Sequence, residues 1–130
     1  MSKKRITASD IMTQPVESAS RKDCARDIAL RLLSGTYRGV PVIDGQGNVV
    51  GVVTELDLLK AVEKGTDLLD TTAEKIMSRK APTADVRAPI DDLVEMMTGR
   101  KVVCLPITKG GKPVGVVTRH DLLKALIEKS

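Results

Sequence analysis

The chain has 130 residues, of which 42% are hydrophobic and 29% are charged, and its formal net charge is +4. This composition is typical of a folded globular protein and argues against long disordered segments. One Tyr, no Phe and no Trp are present, so the aromatic side chains on which single-stranded nucleic-acid bases stack are nearly absent. Nucleic-acid binding is therefore the least favoured class, and it rests on a pI of about 9.2 and the basic MSKKR terminus.

The two cysteines, Cys24 and Cys104, stand far apart in the sequence. They lack the partners of a zinc site or a disulfide framework, so no metal site is predicted and both are expected to be small buried residues. No apolar run approaches the roughly 20 residues of a membrane span, and the N-terminus lacks the pattern of a signal peptide. We expect a cytoplasmic protein with no membrane partner.

The first predicted element is a helix. Residues 20–23, SRKD, resemble the capping box with which helices begin, and Ser34-Gly35 is a typical helix end. Between them, apolar residues recur at helical spacing and predict one buried face: Ala25, Ile28, Ala29, Leu32 and Leu33.

A β-hairpin and a second helix follow. Two β-branched runs, 39–43 and 49–53, flank the turn-forming residues 44–48. Thr54 is placed to begin a helix that ends at Lys64-Gly65. Three of its apolar side chains are expected to face inward: Leu56, Leu59 and Val62.

The second half predicts the same order of elements. Pro89 lies near the first turn of a helix, whose apolar face holds Ile90, Leu93, Val94 and Met97. Strands at 103–107 and 113–117 follow, and then a helix from 118 to about 128. The polar residues 66–72 are expected to connect the two halves.

One sequence occurs twice. GVVTELDLLKA at 51–61 returns as GVVTRHDLLKA at 115–125, with nine of the eleven positions identical. Upstream, Pro41 and Pro106 are 65 residues apart, whereas the two copies themselves are 64 residues apart. A duplication at a nearly fixed period indicates two similar structural units.

Halves of this size are marginal alone, because a small domain buries too little of its surface. We therefore predict one compact α/β pair of pseudo-symmetric repeats, with the first at 1–65 and the second at 66–130. Each repeat reads as β-α-β-β-α, with helices on one side of a small sheet.

Each copy of the repeated sequence lies where a strand passes into a helix. Thr54 precedes Asp57 by three residues, and Thr118 precedes Asp121 in the same way. The free N–H groups and the dipole of a helix N-terminus favour a negatively charged group, and an Asp can accept hydrogen bonds from vicinal ribose hydroxyls. The same spacing also describes a capping box, which stabilises a helix by about 0.5–2 kcal/mol without any ligand. Both interpretations stay open.

Short motifs follow one another in the same order in both halves. The first set is ASDIMT, YRGVPVID and GVVTELD, and the second is AEKIMS, VCLPI and GVVTRHD. In this order, and twice over, they resemble a tandem pair of cystathionine-β-synthase-type (CBS) domains. The resemblance covers nearly the whole chain.

The resemblance implies that the two repeats pack through their sheets and that clefts between them bind adenosine-containing ligands, namely AMP, ADP, ATP or S-adenosylmethionine. It implies a regulatory module with no required cofactor, which signals through an effector protein that the sequence does not identify. It also implies a homodimer, in contact through the helices that begin at Thr54 and Thr118 and the linker helices near Asp10 and Glu74. No catalytic set can be drawn with one histidine, so we do not expect an enzyme. The alternative is a ligand-free module that docks a partner protein.

The resemblance also assigns the ligand-binding residues. Asp57 and Asp121 would hold ribose hydroxyls, and Thr54 and Thr118 would support the ribose or the phosphate. The remaining candidates would frame the adenine or reach the phosphate: Thr13, Val16, Arg38, Gly39, Val40, Pro41, Ser78, Val103, Cys104, Leu105, Pro106, Arg119 and His120.

The two copies differ in charge at a single dipeptide. Glu55-Leu56 of the first copy is replaced by Arg119-His120 in the second. Because Arg suits phosphate and a carboxylate repels it, we predict that the site at 118–121 prefers the more phosphorylated ligand. Before the core strands, Arg38 is a phosphate candidate, whereas Lys101 is expected to be hydrated.

Overall fold

The computed structural model describes residues 6–14, 16–34, 38–79, 81–100 and 102–129, the last of these without its side chain. The predictions made for the MSKKR terminus, Gly35 and Lys101 lie outside the described residues. The chain forms two compact units. We call Glu17–Ala81 the first unit, and Met1–Val16 together with Pro82–Ser130 the second unit.

The described helices and strands alternate along the chain. The α-helices are α1 (Ala8–Ile11), α2 (Ala25–Leu33), α3 (Glu55–Glu63), α4 (Ala73–Ile76), α5 (Ile90–Gly99) and α6 (Arg119–Lys129). The strands are β1 (Ala19–Ser20), β2 (Gly39–Ile43), β3 (Val49–Thr54), β4 (Ala84–Asp85), β5 (Cys104–Lys109) and β6 (Lys112–Thr118). A 3₁₀ turn at Leu68–Asp70 lies in the connection between the halves. The predicted β-α-β-β-α order is confirmed in both repeats.

Each unit is built on one three-stranded sheet. In the first unit the strand order is β1-β2-β3, with β1 parallel and β3 antiparallel to β2. The second unit repeats this arrangement with β4, β5 and β6. Pro41 lies in the central strand β2. It is tolerated there because β1 has only two residues, which pair with Val42 and Ile43 and not with Pro41.

The spacing between the repeats falls from 65 to 64 residues because the second hairpin turn is one residue shorter than the first. The first hairpin closes through 44–48, where the Asp44 carboxylate accepts the backbone N–H of Gln46 at 2.9 Å and of Asn48 at 3.0 Å. The second closes through Gly110 and Gly111, with φ of 62° and 84°. Positive φ at both central residues is what the two-residue hairpin turn requires, so a shorter turn replaces the Asp44 turn and shifts the spacing from 65 to 64.

Helix α2 begins later than the sequence predicts. Ser20 is the end of β1, and Cys24 is the N-cap of the helix. The reciprocal bond does form, since the Asp23 carboxylate accepts the Ser20 N–H at 3.0 Å, but it shapes the turn after the strand. The prediction that Leu33 is buried is wrong. Its side chain is 76% exposed, because it lies at the end of the helix and at the rim of the face that packs on the sheet.

The inward face of α3 is also different from the prediction. Leu58 and Ala61 are buried, whereas Leu56, Leu59 and Val62 are 58%, 66% and 53% exposed. Both sets recur at helical spacing, so periodicity alone could not select the face that meets the sheet. The predicted face of α5 is confirmed for Ile90, Leu93 and Met97, which are buried in the core of the second unit, and Val94 packs against that core half-buried.

The segment before each repeat's first strand crosses to the other repeat's strands. Thr13 exchanges two backbone hydrogen bonds with Val116, with N···O distances of 2.8 and 3.2 Å. Ser78 does the same with Val52, at 2.9 and 3.2 Å. Each unit therefore combines the hairpin of one sequence repeat with the leading segment of the other, which the predicted division at 65/66 does not anticipate.

Candidate functional site

In the first unit, three hydroxyl and amide groups converge on the Asp57 carboxylate. Thr54 is the N-cap of α3, and its N–H and Oγ1 donate to Asp57 Oδ2 at 2.8 and 3.0 Å. The Asp57 N–H returns a bond to Thr54 Oγ1 at 3.4 Å, which completes a capping box. From the crossing segment, Ser78 Oγ donates to Asp57 Oδ1 at 3.0 Å. The carboxylate is thus fixed at a helix N-terminus by two separate parts of the chain.

The second unit repeats this arrangement around Asp121. The Thr118 N–H and Oγ1 donate to Asp121 Oδ2 at 2.9 and 3.1 Å. Thr13 Oγ1 lies 3.2 Å from both carboxylate oxygens, in the position that Ser78 holds in the first unit. All of these residues were among the sequence-predicted candidates. Which carboxylate Thr13 and Ser78 each contact was not predicted, because the crossing of the leading segments leaves no mark in the sequence.

The carboxylates retain acceptor capacity after these bonds. An ionised carboxylate offers about four lone-pair positions, and Oδ2 of Asp57 uses two of them on Thr54. On Oδ1 the Ser78 hydroxyl takes one position. A hydroxyl-bearing ligand can therefore bind Oδ1 without breaking the cap. Capping and ligand binding, which the sequence left as alternatives, are compatible in this geometry.

The strand residues chosen for adenine contacts lie beside these carboxylates in the sheet. Gly39 is opposite Thr54, and Cys104 is opposite Thr118. Val40 and Leu105 are fully buried members of the two cores, so only their backbone is available to a ligand. The other candidates form no hydrogen bond with either carboxylate among the described residues: Pro41 and Pro106 are buried, Val16 is half-buried, and Arg38, Val103 and His120 are exposed.

Glu55 and Arg119 lie on the far side of their helices from the carboxylates. Two residues along an α-helix are about 200° apart around the axis, and each of these residues precedes its Asp by two positions. Their side chains line grooves between helices, Glu55 with Leu59 and Arg119 with Leu123. The structure therefore does not bring Glu55 or Arg119 together with the candidate ligand site.

A set of lysines beside Asp57 was missed by sequence analysis. Lys60, Lys64 and Lys75 line the same cavity as Asp57, with a volume of about 180 Å³. At the equivalent repeat positions the second unit has Lys124, Glu128 and Asp10. The neighbourhood of Asp57 is thus the more positive of the two. The signal was available as helical spacing, since Lys60 and Lys64 follow Asp57 by three and seven residues.

Cys104 is buried next to a carboxylate. Burial raises the pKa of its thiol to about 12, and the negative charge of Asp121 adds to the increase. Cys24 is half-buried, and its Sγ donates to the Leu68 carbonyl at 3.3 Å. The prediction of two buried cysteines therefore holds for Cys104 only.

This pKa predicts a loss of stability at alkaline pH. As pH rises above 9.0, the ordinary pKa of the thiol, the unfolded chain releases the proton while the folded protein keeps it. The free energy of unfolding should then fall by about 1.4 kcal/mol at pH 10 relative to pH 8 from this group. Urea unfolding at both pH values should show this difference between the natural protein and Cys104→Ala. Equal pH dependence of the two would contradict it.

The fold and the paired sites can be compared with known proteins. The family model described as "CBS domain" matches residues 8–64 and again residues 73–128. The chain belongs to the CBS domain family. A CBS domain-containing protein of Dictyostelium discoideum is 31% identical over 118 residues, which cover 82% of this chain and 81% of that protein. Family membership thus rests on both repeats.

Two further relatives show where such pairs occur. The CBS domain pair of protein MJ0100, in complex with 5′-methylthioadenosine and S-adenosyl-L-methionine, superposes with a TM-score of 0.87 at 25% identity, covering 98% of this chain and all of that one. The A-adding tRNA nucleotidyltransferase of Aquifex aeolicus is 32% identical over 126 residues, 95% of this chain but 15% of the enzyme. For several curated relatives the chain spans less than two thirds of their length.

Within the described part of the chain, no helix is long and apolar enough to cross a membrane. No three His, Cys, Asp or Glu side chains among the described residues are grouped to hold a metal ion.

Proposed function

We propose that this CBS pair is a regulatory module that binds an adenosine-containing ligand through Asp57, Asp121 or both, and signals through a partner protein. The ligand classes are AMP, ADP and ATP, with S-adenosylmethionine as a further one. A regulatory rather than catalytic role, a cytoplasmic location and the pairing of two copies belong to this proposal.

The observation that carries the proposal is that each unit holds an Asp carboxylate in the same way at the N-terminus of a helix. In each unit, hydroxyls from the cap and from the crossing segment hold the Asp in place and leave acceptor capacity on Oδ1. Such a preorganised acceptor suits vicinal ribose hydroxyls. The binding of 5′-methylthioadenosine and S-adenosyl-L-methionine by the pair of MJ0100, at the same fold, supports the adenosine class.

The charge distribution supports a phosphate preference opposite to that predicted from the repeated sequence. Lys60, Lys64 and Lys75 share a cavity with Asp57, whereas Arg119 lines a groove away from Asp121. Since phosphate is favoured by nearby cations, we propose that the Asp57 site takes the more phosphorylated ligand. The Asp121 site would then suit a ligand with less negative charge.

A ligand-free interaction module remains the second candidate. It is favoured by the exposed apolar side chains of α3 and α6, including Leu59 at 66% and Ile127 at 64% exposure. A nucleic-acid-binding protein is less favoured, and a steep dependence of affinity on salt would be its signature.

A thermal-shift screen tests the adenosine proposal. The panel is AMP, ADP, ATP, S-adenosylmethionine and 5′-methylthioadenosine, with GMP and GTP as base controls. A ligand at 100 times its Kd should stabilise the folded protein by about 2.7 kcal/mol, which raises Tm by roughly 5–10 °C. No increase with any adenosine ligand would contradict the proposal and favour the interaction module.

A further inference from the structure

The cavity beside Asp57 gathers three lysines from two parts of the first unit. Lys60 and Lys64 belong to α3, where Lys64 is the C-cap, and Lys75 comes from α4. All three side chains are exposed, and none has an ion pair or a side-chain hydrogen bond among the described residues. Asp57 is the acidic residue among those the structure describes along the cavity. The cavity therefore brings three cations together with one anion.

The stability of the helix does not account for this cluster. A cation near the C-terminus of a helix is favoured by the helix dipole, which would explain Lys60 and Lys64 on α3. In the second unit, however, the equivalent helix α6 has Glu128 at the repeat position of Lys64. Lys75 likewise corresponds to Asp10. The duplicated elements form without these cations, so the positive cavity is a feature of the first unit that its fold does not require.

The dimensions of the cavity select a small anion. Its volume of about 180 Å³ is below the roughly 300–1,000 Å³ of pockets that enclose a whole small-molecule ligand. Lys60 and Lys64 are four residues apart, so their backbone positions differ by about 6 Å along the helix axis. That span exceeds a single phosphate group, whereas two linked phosphate groups present oxygens over it. Their negative charge also suits three ammonium groups.

We infer that this cavity binds a diphosphate group, with Lys60, Lys64 and Lys75 donating to its oxygens. Such a group has two sources, free inorganic pyrophosphate and the phosphates of an ADP or ATP molecule whose ribose is held by Asp57. The second source rests on the proposed adenosine site, whereas the first needs no nucleoside. The cavity would let the first unit distinguish ligands by their number of phosphates.

Calorimetric titration with sodium pyrophosphate at constant ionic strength tests the first source. Affinity should fall about tenfold in Lys60→Ala, which removes a charge-assisted hydrogen bond. It should fall further in Lys64→Glu, which also adds a repelling carboxylate. Lys124→Ala is the matched control, because it removes the same charge at the repeat position of Lys60 in the second unit, and it should bind pyrophosphate like the natural protein. All three residues are exposed, so each variant should melt within a degree or two of the natural protein.

Titration with AMP, ADP and ATP tests the second source. The natural protein should bind ADP and ATP about tenfold more tightly than AMP, and Lys64→Glu should abolish this difference. That result without binding of free pyrophosphate would assign the diphosphate group to a nucleotide.

The inference would be overturned by pyrophosphate binding that Lys60→Ala and Lys64→Glu leave unchanged, or that Lys124→Ala weakens equally. A natural protein that neither binds pyrophosphate nor distinguishes the three nucleotides would overturn it too. Adenosine carries no phosphate and reports on the carboxylates alone. Adenosine binding without the lysine effects would contradict the diphosphate cavity and leave the proposed function intact, and pyrophosphate binding without adenosine binding would do the reverse.

Discussion

Replacing Gly115 by Val should lower the free energy of unfolding by about 1–3 kcal/mol, and Tm by roughly 4–10 °C. The reason is the crossing segment that lies on the strand at this glycine. A Cβ at Gly115 would stand 2.6 Å from Met12 Sδ and 3.1 Å from the Thr13 carbonyl oxygen. The thioether can move aside, but the backbone oxygen is held by the hydrogen bonds between Thr13 and Val116.

The matched control is Gly45→Val. A Cβ at Gly45 would meet nothing within 4 Å, so this variant should change Tm by no more than a degree or two. Combining Gly115→Val with Met12→Ala removes the thioether and should recover part of the loss. Gly115→Val and Gly45→Val of equal stability would contradict the close packing of the crossing segment. Gly51 has the same environment under Met77 and Ser78 and should behave alike.

Asp57→Asn should weaken binding of ATP by roughly ten- to a hundredfold, because the ribose loses a hydrogen bond to a charged acceptor. The amide keeps one carbonyl oxygen, which can still accept from Thr54 and preserve the cap. The variant therefore separates ligand binding from helix stability, which Asp57→Ala does not. Asp121→Asn should weaken ATP binding less, given the lysines beside Asp57.

The lysines provide the charge test of the same prediction. Lys75→Ala should weaken ATP more than adenosine, because adenosine carries no phosphate. Arg119→Ala should alter the affinity for neither, since its side chain lines the α5–α6 groove. If Arg119→Ala selectively weakens ATP and Lys75→Ala does not, the assignment from the repeated sequence is right and the one from the structure is wrong.

The order of helices and strands was predictable because the duplication repeats the residues that mark turns and helix starts in both halves of the chain. Turn residues bounded both hairpins, and Thr54 and Thr118 marked the starts of α3 and α6, where the structure has their caps. The direction faced by α3 was not predictable. Leu58 and Leu59 are adjacent in the sequence and equally apolar, and only packing on the sheet decides which one is buried.

The candidate site was predictable in its residues but not in its connectivity. The Thr-x-x-Asp pattern locates a cap and a carboxylate within four residues, so local spacing is sufficient. The contact between Thr13 and Asp121 joins residues 108 positions apart in the sequence. The two leading segments are alike, so the sequence does not indicate that each one pairs with a strand of the other repeat. For the same reason the sequence does not explain why positions 51 and 115 are glycines, since the leading segments are what lie against them.

Equilibrium dialysis of the protein against AMP, ADP, ATP and S-adenosylmethionine tests the adenosine-binding proposal most directly, with the double variant Asp57→Asn/Asp121→Asn alongside. The proposal predicts saturable binding of at least one of these ligands by the natural protein and an affinity at least about tenfold lower in the double variant. The variant should melt within a few degrees of the natural protein, because its caps keep an acceptor. Binding of equal affinity by both proteins, or no binding of any of the four ligands by the natural protein, would contradict it.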